Sequence, residues 1–330
     1  MDTFTGKLAV VTGGGSGMGR ELVRQLAAEG CSVATCDLNA EAATVTAATS
    51  WAAAPPGVKV TGHACDVADE TQVLRFRDEL LAEHDADHVD LVFSNAGMGG
   101  GESFIAGRRE VWERTFAVDW WGVYYCARAF LPLLIASDEG VLVNTSSLNG
   151  LWATLGPGMP QTAYSTAKFA VRGFSEALIE DLRTHAPHVR VAVVIPGHVG
   201  TDIVANSLRA RGLPEPEHMT DAQVQELFPR AVQAGLIEAE LLPRTASAAG
   251  ASGDELREMI ARLNTSFRDN APVSAAQAAT IILDGVRSGS WRILVGDDAR
   301  LVDAKVREQP EAAYDYARLF GVEPAAPADT

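Results

Sequence analysis

Positive charge is scarce in this chain: 27 lysines and arginines stand against 43 aspartates and glutamates, a formal net charge of −16 over 330 residues. Nucleic acid is therefore a poor partner, because its phosphates are bound by clustered cations. Cysteine is scarcer still. Cys31, Cys36, Cys65 and Cys126 form no Cys-x-x-Cys pair and no metal-ligand spacing, so they read as small buried thiols in a reducing, cytoplasmic setting. The seven histidines are scattered, with no His-Glu-x-x-His pattern, and no metal site is expected. No apolar run approaches the roughly 20 residues a membrane helix needs. The polar start, Met1 to Lys7, runs straight into a strand-like segment and is unlike a signal peptide.

Hydrophobic residues make up 47% of the chain, enough for one large α/β core. Apolar runs at 7–12, 32–37, 58–64, 89–94, 140–145, 189–195 and 291–295 read as strands. They are near-continuous rather than alternating, as expected of a parallel sheet covered on both faces. Helical patterns at 20–29, 71–83, 109–134 and 164–184 lie between them, so strand and helix alternate in right-handed crossovers. The expected fold class is α/β, a doubly wound Rossmann sheet in one domain.

The rhythm breaks over 202–271, read here as a helical lid inserted at the sheet edge rather than a separate domain. Val224, Leu227 and Phe228 make one helical stripe, and Pro229 is expected to restart a second helix reaching about Leu241. Leu256, Met259, Ile260 and Leu263 make another, opened by a capping box of Ser252 and Glu255. Ser274 and Gln277 offer the same box to a helix through Ile281 and Ile282. The Ala/Ser/Gly stretch 245–253 reads as a flexible joint and 324–330 as a disordered tail.

Gly13, Gly17 and Gly19, with Ser16 and Met18 among them, follow a strand and open a helix. Missing Cβ atoms let the backbone approach a pyrophosphate, and the helix start supplies free N–H groups and a positive dipole. Asp37 ends the second strand, where a carboxylate accepts both ribose hydroxyls and repels a 2′-phosphate. Leu38 and Asn39 come directly after it rather than a cation, which favours NAD over NADP. Capping the helix near Glu41 is a second role open to Asp37. Asp66-Val67 and Asn95-Ala96-Gly97 stand after the third and fourth strands, where the adenosine would lie.

Ser146-Ser147 closes the fifth strand, and Tyr164 precedes Lys168 by four residues, one helical turn. In this order, the glycine turn, Asn95-Ala96-Gly97, the serine, Tyr-x-x-x-Lys and Pro196-Gly197-His198-Val199-Gly200-Thr201 resemble the short-chain dehydrogenase/reductase family, over about 5–201 and 272–298. The resemblance implies a seven-stranded parallel sheet in the order 3-2-1-4-5-6-7 and a homotetramer or homodimer built on the fourth and fifth helices. It implies Tyr164 as general acid/base, Ser147 (the second of its pair) as donor to the substrate oxygen, and Lys168 as the ribose-binding cation. Pro196, Gly197, Val199 and Thr201 would lie at the nicotinamide, Thr201 against its carboxamide. Asp119 stands where the family usually has Asn, which alters the charge balance at Lys168.

A tyrosine titrates near pH 10, so an adjacent ammonium is needed to make it a useful base. Ser147 lacks the Gly-x-Ser-x-Gly context of a hydrolase nucleophile. His198 is placed near the nicotinamide but reads as structural. The substrate pocket is expected between 148–159, Trp120 or Trp121, and the apolar residues of the lid, suiting a hydrophobic secondary alcohol or ketone. Two other readings stay open: a non-catalytic dinucleotide-binding sensor or scaffold, and an epimerase or dehydratase of the longer relatives.

Overall fold

The computed structural model describes residues 1–100, 103–154, 156, 160–233, 252–315 and 318, with the backbone alone for 228–233. The first half runs β1 (Leu8–Thr12), α1 (Gly17–Ala28), β2 (Ser32–Asp37), α2 (Ala40–Ala52), β3 (Val60–Ala64), α3 (Glu70–His84), β4 (Leu91–Ser94) and α4 (Arg109–Phe116). A π-helical turn, Ala117–Trp121, leads into α5 (Gly122–Ile135), β5 (Gly140–Thr145), α6 (Thr162–His185), β6 (Val189–Pro196) and β7 (Val199–Gly200). Then come α7 (Ile203–Ala210), α8 (Asp221–Gln233), α9 (Gly253–Asp269), β8 (Val273–Ser274), α10 (Ala275–Arg287), β9 (Arg292–Val295) and α11 (Asp297–Glu308).

Seven strands form one parallel sheet in the order β3-β2-β1-β4-β5-β6-β9, the doubly wound arrangement expected. The continuous apolar runs are the reason. Every residue of β1, β4 and β5 is buried, because helices cover both faces. One face packs Leu22, Val23 and Leu26 of α1 with Ile282 and Leu283 of α10. The other packs Phe76 and Leu80 of α3 with Phe130 and Leu134 of α5 and Leu178 and Leu182 of α6. Each such side chain, fully withdrawn from water, contributes about 1.5–3 kcal/mol. Sheet order reverses between β1 and β4, so the crevice at the strand C-terminal ends opens there.

Four details differ from the sequence reading. The expected helix 109–134 is interrupted by the π turn, which adds a residue to one turn and re-aims the α5 segment beyond it. Helix α8 passes through Pro229 to Gln233 instead of restarting there; the segment 234–251 lies outside the described residues. Of the expected joint 245–253, Ser252 and Gly253 are the N-cap and first residue of α9. Asn39, not Asp37, caps α2, accepting from Ala42 N at 3.1 Å. Both expected capping boxes are present, Ser252 with Glu255 and Ser274 with Gln277. The tail 324–330 lies outside the described residues.

Between β7 and β8 the chain makes a helical excursion with an apolar cluster of its own: Leu208, Met219, Val224, Leu256 and Ile260. The excursion's two ends are joined, since β7 and β8 pair in parallel, Val199 beside Val273 and Gly200 beside Ser274.

Candidate active site

Two adjoining cavities lie at the strand C-terminal ends. Gly13 and Gly17, with φ of +71° and +51°, turn the chain from β1 into α1 in a conformation other residues rarely adopt. A Cβ on Gly13 would come within 2.8 Å of Ala96 Cα. The resulting bare backbone floors the first cavity, together with Ser16, Met18 and Gly19. Asp37, Leu38, Asp66, Val67, Asn95, Ala96 and Gly97 line the rest of that cleft, each delivered by the end of a neighbouring strand. Asp37 is held by backbone donors, Gly15 N to Oδ2 at 3.0 Å and Asn39 N to Oδ1 at 2.9 Å. Asn95 Nδ2 donates to Thr12 O at 3.0 Å, while its buried Oδ1 has no hydrogen-bond partner among the described residues. A long crevice with a glycine floor, a carboxylate at the end of β2 and a waiting acceptor fits a dinucleotide.

The second cavity, about 480 Å³, shares Met18, Asn95, Gly97, Thr201 and Ile203 with the first. Asp119, Ser147, Tyr164, Lys168, Pro196, Gly197 and Val199 are among its lining, so the residues expected to act in catalysis or to hold the cofactor fall on one cavity or the other. Lys168, one turn after Tyr164 on α6, places Nζ 5.5 Å from the tyrosine ring centroid. It is buried, donates to Thr145 O at 3.2 Å and pairs with Asp119 Oδ1 at 3.0 Å. Ser147 lines the same cavity as Tyr164, and its Oγ accepts from Asn149 N at 3.2 Å. Ser146 Oγ instead donates to Lys168 O at 2.7 Å, which ties it to the backbone of α6. Burial pushes the Tyr164 phenol above its ordinary value; Lys168 opposes this and Asp119 reinforces it.

His198 lines the second cavity and is tied to the fold: Nε2 lies 2.7 Å from Phe267 O, the ring packs on Phe267, and its backbone N donates to Asp298 at 2.6 Å. Two expectations about the pocket wall fail. Trp152 turns away from the cavity to pack on Val302 and Ala313, its Nε1 donating to Ala313 O. Trp120 and Trp121 lie outside the cavity, in an aromatic group with Tyr124, Tyr125 and Phe174. Leu148 and Asn149 are the described residues of 148–159 that reach the cavity; Leu155 and 157–159 lie outside the described residues.

Helix α7 brings residues that the sequence reading missed. Asn206, Arg209 and Ala210 line the first cavity, and Asn206 Nδ2 donates to Ser16 Oγ at 2.8 Å across the crevice. Arg114 of α4 also lines it, paired with Asp66 at 2.8 Å and donating to Ala210 O at 3.3 Å. No local motif marks these side chains, since the packing of α4 and α7 over the strand ends brings them there.

This geometry defines a dinucleotide crevice joined to a pocket carrying Ser, Tyr and Lys. Residues 7–212 match the family model described as short chain dehydrogenase. A Mycobacterium tuberculosis protein named "Putative oxidoreductase SadH" is 34% identical over 307 residues, 93% of this chain and 92% of that protein. Among solved structures, a short-chain dehydrogenase/reductase from Burkholderia phymatum in complex with NAD superposes with a TM-score of 0.71 at 26% identity, covering 100% of both chains. An alcohol dehydrogenase from Thermococcus sibiricus, complexed with 5-hydroxy-NADP, matches 59% of this chain and 77% of its own at 28% identity and a TM-score of 0.51. The chain belongs to the short-chain dehydrogenase family, a family of oxidoreductases.

Proposed function

We propose that the chain transfers hydride between the nicotinamide of NAD and a secondary alcohol or ketone of largely apolar character. The observation carrying this reading is the placement of Ser147, Tyr164 and Lys168 on one cavity that opens into the glycine-floored crevice. Bound there, the nicotinamide would accept or return the hydride. The chain's own residues handle the rest. Tyr164 takes the hydroxyl proton in oxidation and gives it back in reduction, Ser147 donates to the substrate oxygen, and Lys168 offers its remaining N–H to the ribose. The glycine turn with Ser16, Met18 and Gly19 seats the pyrophosphate; Leu38, Asp66, Val67, Asn95, Ala96 and Gly97 enclose the adenosine side. Pro196, Gly197, Val199 and Thr201 border the nicotinamide.

Asp37 supports NAD over NADP, because its carboxylate lines the crevice where a 2′-phosphate would sit, and the nearby cations Arg114 and Arg209 are paired with Asp66 and Glu215. The apolar substrate is supported by Leu148, Val204, Leu208 and Phe267 in the second cavity. We read 202–271 as a lid within a single domain, since Ile203, Val204, Leu208 and Phe267 all come from it. Exposed Trp121 and Phe169, beside the aromatic group on α5 and α6, support pairing of copies across those helices. Four buried free cysteines support a reducing, cytoplasmic setting.

The test follows NADH and NADPH absorbance over a panel of alcohols and ketones, with Tyr164→Phe alongside. Turnover with NAD(H) on apolar secondary alcohols, falling about 10³-fold in Y164F at unchanged cofactor affinity, is the expected outcome. Tight cofactor binding without turnover on any substrate, or activity surviving in Y164F, overturns the reading.

A further inference from the structure

Asp119 is a carboxylate wholly withdrawn from solvent, at 0% exposure. It sits in the π turn Ala117–Trp121 and lines the second cavity. One oxygen, Oδ1, accepts from Met98 N at 3.2 Å and pairs with Lys168 Nζ at 3.0 Å. The other, Oδ2, is buried with no hydrogen-bond partner among the described residues. The seat is built closely: a Cβ on Gly97 would lie 2.8 Å from Oδ1 and 3.4 Å from the ammonium.

A buried ammonium with no counter-charge would tend to give up its proton, whereas one paired to a buried carboxylate keeps it. Pairing has a second effect. Two opposite charges 3.0 Å apart present little net field to a third group nearby. Tyr164 is that group, since its ring lies 5.5 Å from Lys168 Nζ. We infer that Asp119 is a positioning residue that cancels the Lys168 charge as Tyr164 feels it, so that the phenol remains protonated through neutral pH and the site works there as a proton donor, reducing carbonyls. This rests on Tyr164 being the acid/base, as proposed above.

Arg211, His198 and Asp298 are the other charged or titratable groups on the cavity. Arg211, after α7, donates to Gly99 O at 3.2 Å, and its charge favours the ionised Asp119. His198 is held on Phe267 O, and Asp298 of α11 accepts from His198 N and Ala299 N. Burial lifts the Asp119 carboxyl as well, and Lys168, the Met98 amide and Arg211 oppose that rise. Burial pulls Lys168 down, but Asp119 and Tyr164 more than restore it, and burial lifts Tyr164 with Asp119 adding to the rise. In reduction the phenol proton passes to the substrate oxygen as hydride reaches the carbonyl carbon, and the phenolate is reprotonated from solvent.

The experiment titrates the tyrosinate absorbance of Tyr164, isolated as wild type minus Y164F with NAD⁺ bound, and compares it with Asp119→Asn treated the same way. Asparagine keeps the shape and the acceptor for Met98 N but removes the charge. A midpoint about one pH unit lower in D119N is expected, with alcohol oxidation near pH 7 rising up to about tenfold and the alkaline limb of carbonyl reduction moving down equally. An unchanged or higher midpoint overturns the inference. Should D119N fail to fold, the wild type decides alone: a midpoint above about pH 8 supports the inference and one below overturns it. Because the titration reads the phenol without turnover, its failure is distinct from survival of activity in Y164F, which would instead remove the acid/base assignment.

Discussion

Asp37 serves the fold and, in the proposed function, a ligand as well. Gly15 N and Asn39 N hold its two oxygens at 3.0 and 2.9 Å, so the carboxylate is fixed before any cofactor arrives. Replacing it by Ala removes the repulsion of a 2′-phosphate; the expected outcome is a rise of at least about tenfold in the NADPH-to-NADH ratio of kcat/KM. An unchanged ratio would show that selectivity lies elsewhere in the crevice. At this scale the site was readable wherever residues follow a strand directly. Gly13, Asp37, Asp66 and Asn95 each occupy a strand end, and strand ends can be read from apolar runs. Asn206, Arg209 and Arg114 were unreadable because they reach the crevice from helices whose docking depends on tertiary packing.

Among the elements, local chemistry was read best. Ser274 and Gln277 satisfy each other's backbone donors at the start of α10, with 2.9 Å and 3.2 Å hydrogen bonds. Ser274→Ala should lower stability by about 1 kcal/mol, seen as an earlier urea midpoint at unchanged slope. A change in slope would point instead to loss of the β7–β8 pairing that Ser274 also joins. The π turn escaped the sequence reading because an added residue in one turn leaves composition and apolar spacing almost untouched. Pro229 misled it for the opposite reason: the residue is a strong local signal, overridden by the helix around it. Trp152 packs on α11, whose charge-rich sequence marks no partner for a distant tryptophan.

At the scale of the whole molecule, the half-buried His84 couples folding to pH. His84 closes α3 with Nε2 3.0 Å from Thr61 Oγ1, and burial, aided by Lys59 and His63, lowers its pKa from 6.5 to about 4. Between those values the unfolded chain binds the proton and the folded one does not, so folding stability falls as pH drops from about 6.5 towards 4 and is retained in full above. Thermal unfolding of His84→Gln should lose that part of the acid sensitivity; a variant as acid-sensitive as wild type would locate the effect in other groups. The doubly wound sheet itself was legible from strand runs alone, since burial on both faces leaves so plain an imprint.

The short pairing of Val199 and Gly200 with Val273 and Ser274 has an evolutionary corollary. Departure and return points sit side by side, so the intervening stretch can lengthen, shrink or be exchanged while the catalytic scaffold keeps its shape. Exchange of that stretch would also reshape both cavities, since Asn206 lines the first and Leu208 and Phe267 the second.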